Sequence, residues 1–163
     1  MWIPAGIGIG SNQAGPAGQV RIALRALAAL RETRLICASS LYRNPPMGPI
    51  EQPDYVNAVA IVLTRLSARE LLGHLQALEV AQGRDRDAEA RWGPRRIDLD
   101  ILTYGHRRVD KSDLVIPHPG ISERNFVLFP LLEICPHLPI PGQGTVRQLA
   151  AGIDGTGLEK IPA

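Results

Sequence analysis

At 163 residues, 45% apolar and 21% charged, the chain has the size and composition of one globular domain, 1–163, with a core of its own. A net charge of only +2 calls for no nucleic-acid partner, although sixteen of the eighteen basic residues are arginine, lysine standing only at 111 and 160. No apolar run approaches the ~20 residues of a membrane span, and MWIPAGIGIG lacks the basic start of a signal peptide, so a cytoplasmic monomer is expected.

In chain order, residues 3–9 read as a strand that ends at Gly10-Ser11-Asn12, with the glycines of GIGIG serving a tight strand exit. The spacing Gly8-x-Gly10-x-x-Gln13 lacks the third glycine of a dinucleotide fingerprint, and no Walker A lysine follows. A helix is predicted over 17–31, with Val20, Leu24, Leu27 and Leu30 inward. A strand over 35–42 leads into a loop, 43–54, stiffened by Pro45, Pro46, Pro49 and Pro53. Residues 55–63 alternate as a third strand. Ser67 and Glu70 form a capping box for a helix that runs to Gly83, with Gln76 and Glu79 on its polar side. A second polar loop, 84–94, precedes a strand over 95–104, and Gly105-His106 reads as a hairpin turn. The order βαββαβ implies an α+β, ferredoxin-like sandwich with both helices on one sheet face. The remainder, with a helix over 124–134, reads as a C-terminal helical extension. Cys37 and Cys135 show no CxxC spacing and read as small apolar residues.

The chemistry concentrates in RWGPRRIDLD at 91–100. On a strand, Asp98 and Asp100 point to one face, about 6.6 Å apart along the chain at ~3.3 Å per residue. Two carboxylates so close favour a cation between them, and Mg²⁺ takes one or two carboxylates with water and phosphate completing its shell. Arg84, Arg86, Arg91, Arg95 and Arg96 crowd the preceding thirteen residues and offer forks for phosphate oxygens. An exposed strand face is the plainer reading, but acidic residues are poor strand formers. Trp92 is either a lid over a ligand or a core anchor. His118, between Pro117 and Pro119, either donates to a phosphate or faces water. Arg124 and Phe126 open the last helix, and Asn57 at a strand start can read an amide-like edge. His74, His106 and His137 read as surface or structural.

Taken together, IGSN at 9–12, SSLYRNPPMGP at 39–49, QPDYVNAV at 52–59, Gly83-Arg84, RWGPRRIDLDIL at 91–102, PHP at 117–119 and the stretch 124–131 resemble the 6-hydroxymethyl-7,8-dihydropterin pyrophosphokinase family. The resemblance implies transfer of pyrophosphate from ATP to the hydroxymethyl group of the pterin in folate biosynthesis, with release of AMP. By position, it implies that Asp98 and Asp100 hold two Mg²⁺ ions and act with Arg84 and Arg95 in catalysis. ATP would be met by Arg84, Arg95, His118, Arg124 and Gln76, with Arg86, Arg91 and Trp92 on a mobile covering loop. Asn57 would read the pterin edge, Tyr55 and Phe126 would stack on its ring, and Asn44, Pro45 and Met47 would close its pocket. Two positions depart from the family pattern: Asn44 replaces the usual threonine, and Gly120 stands where many members carry arginine. An RNA-binding module is the rival for a split-βαβ sheet, but the sheet lacks the paired aromatics of that class.

Overall fold

The computed structural model describes residues 1–163 and is a mixed α/β protein with an antiparallel sheet and four helices. Its elements are β1 (Ile3–Ser11), α1 (Pro16–Ala28), β2 (Thr33–Ala38), β3 (Tyr42–Asn44), β4 (Tyr55–Thr64), α2 (Ala68–Ala81), β5 (Asp98–Tyr104), β6 (Val109–Lys111) and β7 (Leu114–Ile116). There follow α3 (Asn125–Ile134), β8 (Pro139–Ile140), β9 (Gly144–Thr145), α4 (Val146–Ala151) and β10 (Glu159–Lys160). β1 lies at the centre, antiparallel to β4 from Ile3↔Thr64 to Ser11↔Val56 and to β5 on its other edge. The far edge of β4 is shared by β2 and β3, and β10 adds to β3. Each helical crossover, β1–α1–β2 and β4–α2–β5, therefore skips one strand. No helix is long and apolar enough to cross a membrane.

The alternation of side chains along β4 decides what each face carries. Val56, Ala58, Ala60 and Val62 meet Val20, Ala23 and Leu27 of α1 and Leu71 and Leu75 of α2 in the larger core. Val59 and Ile61, with Leu102 of β5, point the other way and meet Ile121, Val127, Leu131 and Val146. The C-terminal third is thus no loose appendage. It covers the second sheet face with a core of its own.

Several boundaries differ from the sequence reading for local reasons. The expected strand over 35–42 breaks at Ser39, whose backbone N–H donates to the Val59 carbonyl at 2.8 Å while its Oγ accepts from the Val59 N–H at 3.0 Å. A side chain replaces one ladder bond there, and pairing resumes only at Tyr42. α1 ends three residues early, because the chain turns into β2 through Glu32 at φ 51. β5 begins at Asp98 rather than Arg95, since Asn12 takes the Arg95 N–H on its Oδ1 (2.8 Å) and donates its own N–H to the Arg95 carbonyl (3.0 Å). The turn at Gly105-His106 exists, but it opens no hairpin with β5: β6 pairs with β7 in a separate ribbon. The capping box of α2 is present in both directions, Ser67 and Glu70 each accepting from the other's backbone N–H.

Candidate active site

Where β1, β4 and β5 run side by side, their second face carries a cavity of about 310 Å³. Its floor is backbone. Along β1 the alternation places Ile7 and Ile9 in the larger core and turns Gly8 and Gly10 toward the cavity. A Cβ at Gly10 would lie 2.6 Å from Asn57 Oδ1, and one at Gly8 would lie 3.2 Å from Leu102. The GIGIG pattern therefore does not mark a strand exit, as expected above. It leaves a strip of bare mid-strand backbone, the chain's one signal for a ligand floor that sequence reasoning missed.

On one side of this floor stand Asn57 and Tyr55 of β4, Asn44 of β3, Met47 of the following loop and Phe126 of α3. Asn57 and Asn44 are buried and hydrogen-bonded to each other. On the other side Asp98 and Asp100, in register with Gly10 and Gly8, face the cavity with side chains 36% and 41% exposed. Arg95, His118 and Arg124 complete the lining, and Trp92 and Gly93 cover it. Trp92 lines the cavity and is 42% exposed, so it is no core anchor.

The covering loops are cross-bonded through Asn12. Its Nδ2 donates to Gln52 Oε1 and to the Pro53 carbonyl, each at 2.9 Å. Gln52 in turn donates to the Trp92 carbonyl (2.6 Å), and the Tyr55 hydroxyl donates to the Gly93 carbonyl (3.2 Å). The loop after β3 and the loop before β5 are thus joined to each other.

Behind Asp98 lies a network of buried charge. α2 closes in a Schellman motif, with the Gly83 N–H on the Val80 carbonyl and the Arg84 N–H on the Glu79 carbonyl, which brings Arg84 back over Glu79. Arg84, 4% exposed, donates to Glu79, to Asp98 Oδ1 at 2.7 Å and, through two nitrogens, to Glu89 at 3.0–3.1 Å. Arg95 donates to the same Glu89 at 2.8 Å, and Arg86 to Glu79 at 2.6 Å. Glu79 also accepts the Leu99 backbone N–H at 2.9 Å, so its fully buried carboxylate joins α2 to β5. Burial raises its pKa, against the arginines and the Leu99 N–H. The Arg84 guanidinium is held still more firmly protonated than usual: burial opposes this, but Glu89, Asp98 and Glu79 outweigh it.

Asp100 is the group most out of place in charge. Burial first, then Asp98 and Glu79, push its pKa up to about 7. The remaining opening faces cavity water. His118 is pulled down to about 4 by burial and by Arg124, so it is neutral at pH 7. Its Nδ1 accepts the Gly120 N–H at 3.0 Å, which leaves Nε2 to carry the proton toward Asp100 Oδ2, 3.7 Å away. With the imidazole neutral the pair is no ion pair, and 3.7 Å is too long for a direct hydrogen bond.

Of the residues singled out in the sequence, Asn44, Met47, Tyr55, Asn57, Trp92, Arg95, Asp98, Asp100, His118, Arg124 and Phe126 line the cavity. Pro45, Arg84, Arg86, Arg91 and Gln76 do not. Arg84 buttresses Asp98 from behind, and Arg91 stacks over Trp92 at 5.7 Å. Gln76 is exposed on α2, without a bond to any group of the site. Glu79 and Glu89, which bond Arg84, Arg86 and Arg95 beside the site, were not singled out as site residues by the sequence. At Gly120 a Cβ would fall 2.5 Å from Arg124 Nε. Arg124 occupies that space.

Residues 6–136 match the family model described as 7,8-dihydro-6-hydroxymethylpterin-pyrophosphokinase (HPPK). The chain belongs to the HPPK family. Among curated HPPK relatives, one from Pseudomonas aeruginosa named 2-amino-4-hydroxy-6-hydroxymethyldihydropteridine pyrophosphokinase is 44% identical over 156 residues, covering 96% of this chain and 95% of that one. A relative of the same name from Haemophilus influenzae is 45% identical over 147 residues, 90% of this chain and 91% of its own. Solved HPPK-DHPS structures of wild-type Plasmodium falciparum, one with pteroate and one with STZ-DHP, align over 93% of this chain with TM-scores of 0.73 and 0.72 at 13% identity. Those two show the likeness of fold, and this chain spans only 42% and 43% of their length.

Proposed function

We propose that this HPPK chain transfers a pyrophosphoryl group from ATP to the hydroxymethyl oxygen of 6-hydroxymethyl-7,8-dihydropterin, a step of folate biosynthesis. The observation that carries the reading is the divided cavity. An amide and aromatic wall faces a carboxylate and cation wall across a floor that includes Gly8 and Gly10. In this reading Asn57 meets the edge of the pterin ring, Tyr55 and Phe126 cover its faces, and Asn44 and Met47 close the pocket. The triphosphate runs along Arg95, His118 and Arg124, under Trp92 and beside Arg86 and Arg91. The order of the sheet supports a ferredoxin-like core, with α3 and α4 as the extension that closes its second face.

The hydroxymethyl oxygen forms a bond to the β-phosphorus, and the bond from that phosphorus to the oxygen bridging the α-phosphorus breaks. AMP leaves with the bridging oxygen, and the hydroxyl proton is lost, with Asp98 its candidate acceptor. In-line transfer of this kind needs alignment and charge neutralisation more than a covalent protein intermediate. Alignment comes from the rigid strands beneath both walls, and exclusion of water from the cross-bonded loops.

The donor set suits magnesium. Two carboxylates face the cavity, one of them driven toward protonation by burial and by the other, and no cluster of three His, Cys, Asp or Glu side chains gathers as a closed cage. Such a set fits a hard cation that completes its shell with water and phosphate oxygens. Asp98 and Asp100 would hold two such ions, which when bound supply Lewis acidity and neutralise charge on the phosphates. Arg84 keeps Asp98 aimed into the cavity, and neutral His118 offers its Nε2 proton as a hydrogen-bond donor.

Incubating the protein with ATP, the hydroxymethyl pterin and Mg²⁺ and separating the nucleotides tests the reading. AMP equal in amount to the pterin consumed is expected. ADP, or nucleotide turnover that ignores the pterin, would overturn it.

A further inference from the structure

The departure at position 44 puts a second carboxamide beside the one assigned to the pterin edge. In an antiparallel register Asn44 of β3 lies opposite Tyr55, and Tyr42 opposite Asn57, so Asn44 and Asn57 are diagonal neighbours on one sheet face. Both are buried, at 5% and 8% exposure. Asn57 Nδ2 donates to Asn44 Oδ1 at 2.5 Å, and Asn44 Nδ2 donates to the Pro45 carbonyl at 3.1 Å. Donor chemistry fixes the sense of this chain. The Pro45 carbonyl can only accept, so Asn44 must turn its Nδ2 there and its Oδ1 toward Asn57. That oxygen can also only accept, so Asn57 must answer with Nδ2. Asn57 Oδ1 then lies over Gly10, in space that a Cβ at that position would claim at 2.6 Å.

We propose that the Asn44 side chain is a positioning residue that locks the Asn57 carboxamide in one of its two orientations, and thereby sets which heterocycle edge the pocket accepts. The inference rests on the pterin reading above and deepens it. A locked Asn57 presents one acceptor, Oδ1, and one remaining N–H, in that spatial order. A 2-amino-4-oxo ring edge carries donors and acceptors in a set sequence, and a 2-oxo analogue replaces the amino donor by an acceptor. A carboxamide free to flip serves both rings. A locked one favours a single pattern, because the wrong ring leaves buried polar groups unpaired. Proline after Asn44 serves the lock, since the carbonyl it offers lies one peptide away and Pro45 brings no N–H to compete for Asn44 Oδ1.

The test compares Asn44→Leu, which keeps the branched heavy-atom shape and removes the acceptor, with Asn44→Asp, which keeps the acceptor. For Asn44→Leu, KM for the pterin rises about tenfold, while kcat and KM for ATP stay within about threefold. The preference in kcat/KM for the 2-amino ring over its 2-oxo analogue falls by about tenfold, and Asn44→Asp retains that preference. A purely structural role would weaken both rings alike and leave their ratio unchanged, which would overturn the proposal. A second measurement needs no variant and no turnover. In ¹⁵N-resolved NMR of the wild-type protein, one side-chain amide proton of Asn57 exchanges slowly and couples through space to Asn44. Solvent-rate exchange of both protons would overturn the lock even where the pterin reading stands. Absence of pterin turnover in the wild type would sink that reading instead.

Discussion

Replacing Asp100 by asparagine should make the metal-free protein more stable and catalytically dead. Burial and the neighbouring Asp98 raise the Asp100 pKa from 3.8 to about 7. A shift of about three units corresponds to at most ~4 kcal/mol at ~1.36 kcal/mol per unit. With the side chain 41% open to cavity water, screening reduces this to ~1–2 kcal/mol. The sign follows from proton binding. Between the unfolded and folded values the native state holds the extra proton, so stability falls as pH rises from about 4 to about 7 and the full cost is present above that. Asp100→Asn should therefore melt about 2–8 °C above the wild type at pH 8, with the gap closing toward pH 4. Calorimetry in EDTA measures it. Added Mg²⁺ should raise the melting temperature of the wild type at pH 8 and leave the variant where it was. A variant no more stable than the wild type at pH 8, or a gain indifferent to pH, would refute the electrostatic argument.

Three further substitutions probe the surroundings of that carboxylate. Glu79→Ala removes a fully buried carboxylate that Arg84, Arg86 and the Leu99 N–H share, and should cost ~3–5 kcal/mol in urea unfolding; a loss below ~1 kcal/mol would mean that the network is not what joins α2 to β5. Glu89→Gln withdraws the charge that engages both Arg84 and Arg95 in the ligand-free state. By releasing about 1 kcal/mol of competition, it should tighten calorimetric binding of a non-hydrolysable ATP analogue about fivefold, whereas weaker binding would show that Glu89 organises the arginines for ATP. Gly10→Ala should raise KM for the pterin without unfolding the sheet, because the added methyl contests the space of Asn57 Oδ1. Normal pterin kinetics in that variant would remove the glycine floor from the account.

Much of this architecture was legible in the chain because the signals are local. The Ser67–Glu70 box, the alternation of residues 55–63 and the Asp98/Asp100 pair each follow from a periodicity or a short spacing. The break at Ser39 was not legible, since it depends on a hydroxyl that finds the backbone of β4, twenty residues away. The second core was hidden for a similar reason. Residues 59, 61 and 102 read as ordinary strand positions until Ile121, Leu131 and Val146 fold back over them. Within the site, residue types told which side chains carry chemistry but not which reach the cavity. Arg84 and Arg95 look alike in sequence, yet the Schellman turn buries one behind Asp98 and the Asn12 bridge presents the other. The glycines of GIGIG read as punctuation because a glycine floor has no side chain to announce it.

The central claim is that a pyrophosphoryl group crosses this cavity from ATP to a pterin hydroxymethyl oxygen. ATP labelled at the β-phosphorus follows that group directly. The label should appear in a pterin diphosphate, phosphorus attached to the hydroxymethyl oxygen, with unlabelled AMP as the only nucleotide product. Label retained in ADP, or released as free pyrophosphate without a pterin ester, would contradict the account.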